Sequence, residues 1–171
     1  MKAMTTNSSL TTGRGRPRGL ARLLFRAPVW LYRRGLGWLL GRRFLLLTHT
    51  GRRSGLPRQT VLEVVAYDPA SGRCVVASGF GPRSDWVLNI QADPRVEVQS
   101  GRERFRGTAR QLAPPEAGQA LLDYARRHPG AFRELSRFMG FPPPRDEDEI
   151  RAMGGRMALF ALEPAENSTE S

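Results

Sequence analysis

The chain has 171 residues, 40% of them apolar and 25% charged, which suits one globular domain with a real core. Thirteen prolines and 18 glycines without a period exclude a collagen-like repeat and argue against one long helical bundle, and the single cysteine, Cys74, excludes an internal disulfide and a thiolate metal cluster and points to a reducing compartment. Residues 1–62 carry Lys2, twelve arginines and no acid, whereas residues 63–171 carry 14 arginines against 16 acids, so the whole net charge of +11 resides in the first third.

Residues 1–17 are rich in Ser, Thr and Gly without an apolar stretch and read as a disordered leader. In residues 18–41, Arg18, Arg22 and Arg26 form an i, i+4 stripe and Leu20, Leu23 and Leu24 lie on another face; Pro28 divides the segment into two helices. Trp30 and Trp38 beside a basic and an apolar face fit a helix lying on an anionic membrane surface, while Gly35 and Gly37 fit equally a helix packed on the rest of the domain. No run reaches the ~18–20 apolar residues that cross a bilayer, so the reading is cytoplasmic, peripheral at the inner face of the membrane if the first helix reading holds.

The chain then turns β-rich. Strands are predicted at Phe44–Thr50, Thr60–Tyr67 and Arg73–Ser78, with a turn over Asp68–Gly72 and apolar runs that imply burial on both faces. A short helix capped by Ser84 covers 84–92, and strands at 95–99 and 102–110 flank a Ser100-Gly101 hairpin turn. Helices follow over 115–127 and 131–139, an acidic turn over 146–149 and a last strand over 157–162. This order is α+β with a mainly antiparallel sheet, a meander or barrel, and its short hairpins disfavour a doubly wound parallel sheet.

The loop from Thr48 to Thr60 (THTGRRSGLPRQT) joins two buried strands through two glycines, a hydroxyl and three guanidiniums. Such a loop is suited to an anion, since glycine lets backbone N–H groups approach it and arginine clamps phosphate or carboxylate with paired hydrogen bonds; a solvated arginine-rich turn has the same composition. It is not a P-loop, lacking GxxxxGK[ST], and there is no GxGxxG fingerprint. Nucleic acid is not expected as a partner, because the basic segment lacks interleaved exposed aromatics and a helix-turn-helix pattern.

The runs LTHTGRRSGLPR (47–58), VVASG (75–79), DWVLNI (85–90), ADPRV (92–96) and ALEP (161–164) resemble, in this order and spacing, the deazaflavin-dependent nitroreductase family, split β-barrels that bind coenzyme F420. The resemblance implies a split β-barrel (FMN-binding split-barrel-like) over 42–164, with the N-terminal amphipathic helix and the other helices packed outside it and a disordered tail over 165–171. It implies F420 as cofactor, FMN being the weaker alternative, and hydride transfer to a planar electron-poor acceptor such as a quinone, enone or nitro compound. Its cofactor-binding residues would be Arg52, Arg53, Ser54, Gly55, Pro57, Arg58 and Thr60 for the phosphate and acidic glutamyl tail, and Ala77, Ser78, Gly79, Trp86 and Val87 for the ring. Family members active on nitroimidazoles carry a basic residue just after the ring-contacting serine; here Gly79 and Phe80 follow Ser78, which leaves the acceptor open. Ser78 and His128 are the candidates for handling a proton. A non-catalytic fatty-acid or lipid-binding barrel is the alternative that the same resemblance leaves.

Overall fold

The computed structural model describes residues 42–79 and 81–165, and the leader, the basic 18–41 segment and residues 166–171 lie outside the described residues. Six strands, β1 (Phe44–Thr50), β2 (Pro57–Tyr67), β3 (Cys74–Ala77), β4 (Arg95–Ser100), β5 (Glu103–Gln111) and β6 (Leu159–Pro164), close into a barrel in the order β1-β2-β3-β6-β5-β4. Every pairing is antiparallel, including the closure of β4 on β1, where Leu46 faces Gln99 and His49 faces Val96. The expected α+β class with an antiparallel barrel is what the chain forms.

Alternation along the strands divides the apolar residues between two cores. Leu45, Leu47, Leu62, Val76, Val98, Phe160 and Leu162 point into the barrel. Val65, Val75, Ala77, Leu159 and Ala161 point outward beneath a layer of three helices, α2 (Pro114–Arg127), α3 (Pro129–Met139) and α4 (Glu147–Arg156). A bulge between Val64 and Ala66 adds one residue to β2 opposite β3, so Val65 and Ala66 both turn to the helix layer while Tyr67 returns to the barrel side. Burial on both faces is therefore why β3 and β6 read as unbroken apolar runs.

The helix α1 (Asp85–Ala92) fills the barrel with Trp86, Val87 and Ile90. Each such burial contributes roughly 1.5–3 kcal/mol, and the Trp86 indole meets the Phe160 ring edge-on at 5.4 Å. That anchorage fixes the first turn of α1 relative to the β1–β2 loop, and the candidate site is built there.

Four sequence expectations are corrected. The 95–111 hairpin turns at Gly101-Arg102 rather than Ser100-Gly101, because Ser100 still pairs with Glu103 and Gly101 supplies the positive φ of 58°. Ser84 precedes α1 but makes no capping bond; its hydroxyl lies 2.8 Å from that of Ser78 instead. The acidic stretch at 146–149 opens a helix rather than a turn, with Asp146 accepting the Glu149 N–H at 2.9 Å. The last strand starts two residues late, since the Met157 N–H still closes α4.

Cys74 sits inside the barrel, 1% exposed, and burial pushes its thiol up to about 11. The native protein is expected to react with an aromatic disulfide reagent only on unfolding; prompt stoichiometric labelling under native conditions would contradict this placement.

Candidate functional site

A cleft of about 490 Å³ separates the β1–β2 loop from the first turns of α1. Its shape begins with backbone constraints. Gly51 closes the loop by donating to Leu56 O at 2.9 Å and accepting from the Ser54 and Gly55 N–H groups, and a Cβ at Gly51 would lie 2.7 Å from Ser54 Oγ. Gly55 takes the left-handed conformation, φ 66°, that returns the chain to β2. The loop thereby holds Arg52, Arg53, Ser54 and Arg58 around one opening, with Thr60 and Trp86 on its walls.

The three arginines are not equivalent. Arg52 is spent on the scaffold: its backbone N–H and Nη1 donate to Asn89 Oδ1 at 3.1 and 2.9 Å, and Nη1 and Nη2 reach Asp85 Oδ1 at 3.3 Å. Asp85 and Asn89 are one turn apart on α1, so this set of bonds ties the loop to the helix. Arg53 and Arg58 have no carboxylate partner among the described residues; the Arg58 guanidinium meets only Ser54 Oγ, at 3.5 Å. With Asp85 occupied by Arg52, two uncompensated positive charges face the cleft. That is the electrostatics of a polyanion site.

Below the arginines lies His49, 5% exposed. Arg52 can only donate, so Asn89 turns its oxygen to Arg52 and its amide nitrogen to His49 Nδ1, 3.2 Å away. His49 Nδ1 is thus an acceptor, and the neutral ring carries its proton on Nε2. Burial holds the imidazole below its ordinary value of 6.5, and the charge of Arg58 adds to the depression. The unfolded chain binds a proton here that the folded chain refuses, so this contribution to stability is complete above about pH 6.5 and is lost as the pH falls through the folded value. Urea midpoints should decline between pH 7 and 5 in the native sequence and less in His49→Gln; an identical slope in both would remove His49 as the cause. Asp93, held at about 2 by Arg95, titrates well below this window.

Not every residue expected at the site lines this cleft. Gly55 and Pro57 belong to the loop but not to the wall. Ala77 lies under the helix layer and Val87 inside the barrel. Ser78 is fully buried: its N–H donates to Ala158 O, its hydroxyl donates to Gly81 O at 2.7 Å, and its Oγ lies 2.8 Å from Ser84 Oγ, which does line the cleft. Gly79 packs close to Phe138, since a Cβ there would lie 3.0 Å from the ring. His128 is remote. It links α2 to α3 and lines a separate pocket with Val64, Val65 and Tyr67 of β2, which shares no lining residue with the first. The residues that sequence reasoning missed are His49, Gly51, Gln59, Ser84, Asp85 and Asn89. The i, i+4 placement of Asp85 and Asn89 was visible, but their convergence on Arg52 depends on how α1 seats in the barrel.

Comparison with known proteins adds a second line of evidence. Residues 24–134 match the family model described as F420H(2)-dependent quinone reductase. An F420H(2)-dependent quinone reductase of Mycobacterium tuberculosis is 38% identical over 79 residues, which cover 46% of this chain and 52% of that protein, so the match spans about half the length of the curated relatives. Among solved structures, a protein of unknown function from Agrobacterium tumefaciens, Atu2129, superposes with a TM-score of 0.52 at 19% identity, covering 81% of this chain and 55% of the other. An F420-H2 dependent reductase, FDR-A, gives 0.49 at 24% identity, covering 72% and 96% of the two chains. The structural likenesses concern the fold alone.

Proposed function

The chain belongs to the F420H(2)-dependent quinone reductase family, and from that premise we propose that it binds reduced F420 in the cleft between the β1–β2 loop and α1 and passes a hydride to a planar electron-poor acceptor of the quinone type. The observation that supports this reading most is the pair of uncompensated arginines, Arg53 and Arg58, facing a cleft walled by Trp86. The cofactor's phosphate and acidic glutamyl tail call for such charges, and the tight turn at Gly51, where a Cβ would lie 2.7 Å from Ser54 Oγ, sets the loop that carries them. When bound, F420 in its reduced form supplies the hydride, so the protein's tasks are binding, orientation and control of water.

In this reading Arg53 and Arg58 clamp the anionic part, Ser54 steadies Arg58, and Trp86 with Thr60 bounds the ring side. Arg52 holds the loop against α1 through Asp85 and Asn89. His49, neutral and held through Nδ1 by Asn89, backs the cleft from β1. Ser78 is a positioning residue: its hydroxyl fixes Ser84 at the cleft edge and Gly81 behind it. A proton-transfer role for His128 has no support from its position at the α2–α3 junction.

Fluorescence-quenching titration of the full chain with F420, with FMN and a long-chain fatty acid as competitors, tests the assignment. Saturable F420 binding that FMN does not displace, followed by quinone-dependent oxidation of the reduced cofactor, is the expected result. Failure to bind F420, or equal displacement by FMN, would overturn it. The basic 18–41 segment would hold the enzyme at an anionic bilayer where lipid quinones reside. Among the described residues no helix is long and apolar enough to cross a membrane. Deletion of residues 1–41 is expected to abolish sedimentation with anionic liposomes, and unchanged sedimentation would refute the surface role.

A further inference from the structure

A second cleft, also about 490 Å³, opens among α2, α3 and α4 and shares no lining residue with the first. Its walls are apolar, with Leu122, Phe132, Phe141 and Ile150 lining it. Its rim is cationic. Arg126 is neutralised by Glu147 through bonds of 2.7 to 2.9 Å, but Arg133 and Arg137, one turn apart on α3, make no ion pair among the described residues.

The next row of α3 carries Phe132 and Ser136, also one turn apart and 7% and 6% exposed. Ser136 lines the cleft, and its hydroxyl, shielded from water just behind that wall, has no hydrogen-bond partner among the described residues. A native fold seldom buries a hydroxyl unpaired without a use for it. An apolar wall, one spare hydroxyl donor and two spare guanidiniums on adjacent rows of one helix describe a ligand with a nonpolar body and a single acidic head. Residues 1–41 offer no charge complement to this rim, since they hold Lys2, seven arginines and no acid.

We propose that this cleft binds a linear amphiphile with one anionic head, its aliphatic body against Phe132, Phe141, Leu122 and Ile150 and its head on Arg133 and Arg137, where the Ser136 hydroxyl turns to donate to it. The site is independent of the first cleft and of any redox chemistry there.

Calorimetric titration of the full chain with decanoate, with decan-1-ol as the neutral counterpart, tests the proposal. One decanoate per chain is expected, bound at least tenfold more tightly than the alcohol. Replacing both rim arginines, Arg133→Ala with Arg137→Ala, should remove that preference, and Ser136→Ala should weaken decanoate severalfold. Arg53→Ala with Arg58→Ala, in the first cleft, should leave decanoate binding unchanged. Equal affinity for acid and alcohol, indifference to the rim and Ser136 substitutions, or loss of binding on the first-cleft substitutions would each overturn the assignment. The rim substitutions lie on exposed side chains, and an unchanged urea midpoint of that variant shows that the fold is intact.

Discussion

Replacing Arg53 and Arg58 together by alanine is expected to weaken F420 binding by about 10²- to 10⁴-fold while leaving a tail-less deazaflavin nearly unaffected. The magnitude follows from two charge-assisted hydrogen bonds at roughly 1.5–3 kcal/mol each. The selectivity follows from geometry: both arginines are exposed, and among the described residues neither has a carboxylate partner or braces the fold. Arg52→Ala should behave differently. It removes the bonds to Asp85 and Asn89 that join the loop to α1, so it should weaken both ligands alike and lower stability as well. Salt should reproduce the first pattern, eroding F420 affinity more steeply than that of the tail-less ring. Parallel titrations of the two ligands against the two variants provide the check. Equal losses for both ligands in the Arg53, Arg58 double variant would take the anion away from this loop.

The anion loop was legible in the sequence because its chemistry is local: glycines and guanidiniums within a dozen residues announce it. The difference between Arg52 and its two neighbours was not, since it arises from Asp85 and Asn89, more than thirty residues away and brought near only when Trp86, Val87 and Ile90 enter the barrel. Strands with clear apolar patterning were read closely; β1 spans the expected residues. For Ser78 the resemblance implies a ring contact, whereas the bonds of its hydroxyl to Gly81 and Ser84 depend on how the chain closes around it, which no local pattern announces. The helix α4 escaped notice because EDEIRAMGGR has only Ile150 and Met153 at helical spacing among its larger apolar residues, and two glycines near its end, residues that weaken a helix on propensity alone. Those glycines are explained by a neighbour, not by the helix itself.

Adjacent glycines in α4 should therefore respond in opposite ways. Gly154 lies against the backbone of α2: a Cβ there would stand 2.5 Å from Ala117 O and 2.6 Å from the Gly118 Cα. The two helices meet across this point, since Gly118 in turn has Arg151 O within 2.7 Å of its own Cβ position. Alanine improves helix propensity by about 1 kcal/mol, but here it must drive two backbones apart, at ~3 kcal/mol or more, the upper range for overpacking. The clash prevails, and Gly154→Ala is expected to destabilise the protein by about 2 kcal/mol. At Gly155 the nearest atom is the Cβ of Pro114, 3.3 Å away. A few tenths of an ångström of relief there leaves most of the propensity gain, so Gly155→Ala should be neutral or slightly stabilising. Urea denaturation of the two variants reads the contrast directly as midpoints moving apart at constant m-value. If both lost stability equally, propensity and packing would have been misassigned, and the close α2–α4 crossing that supports the second cleft would not be what holds these helices together.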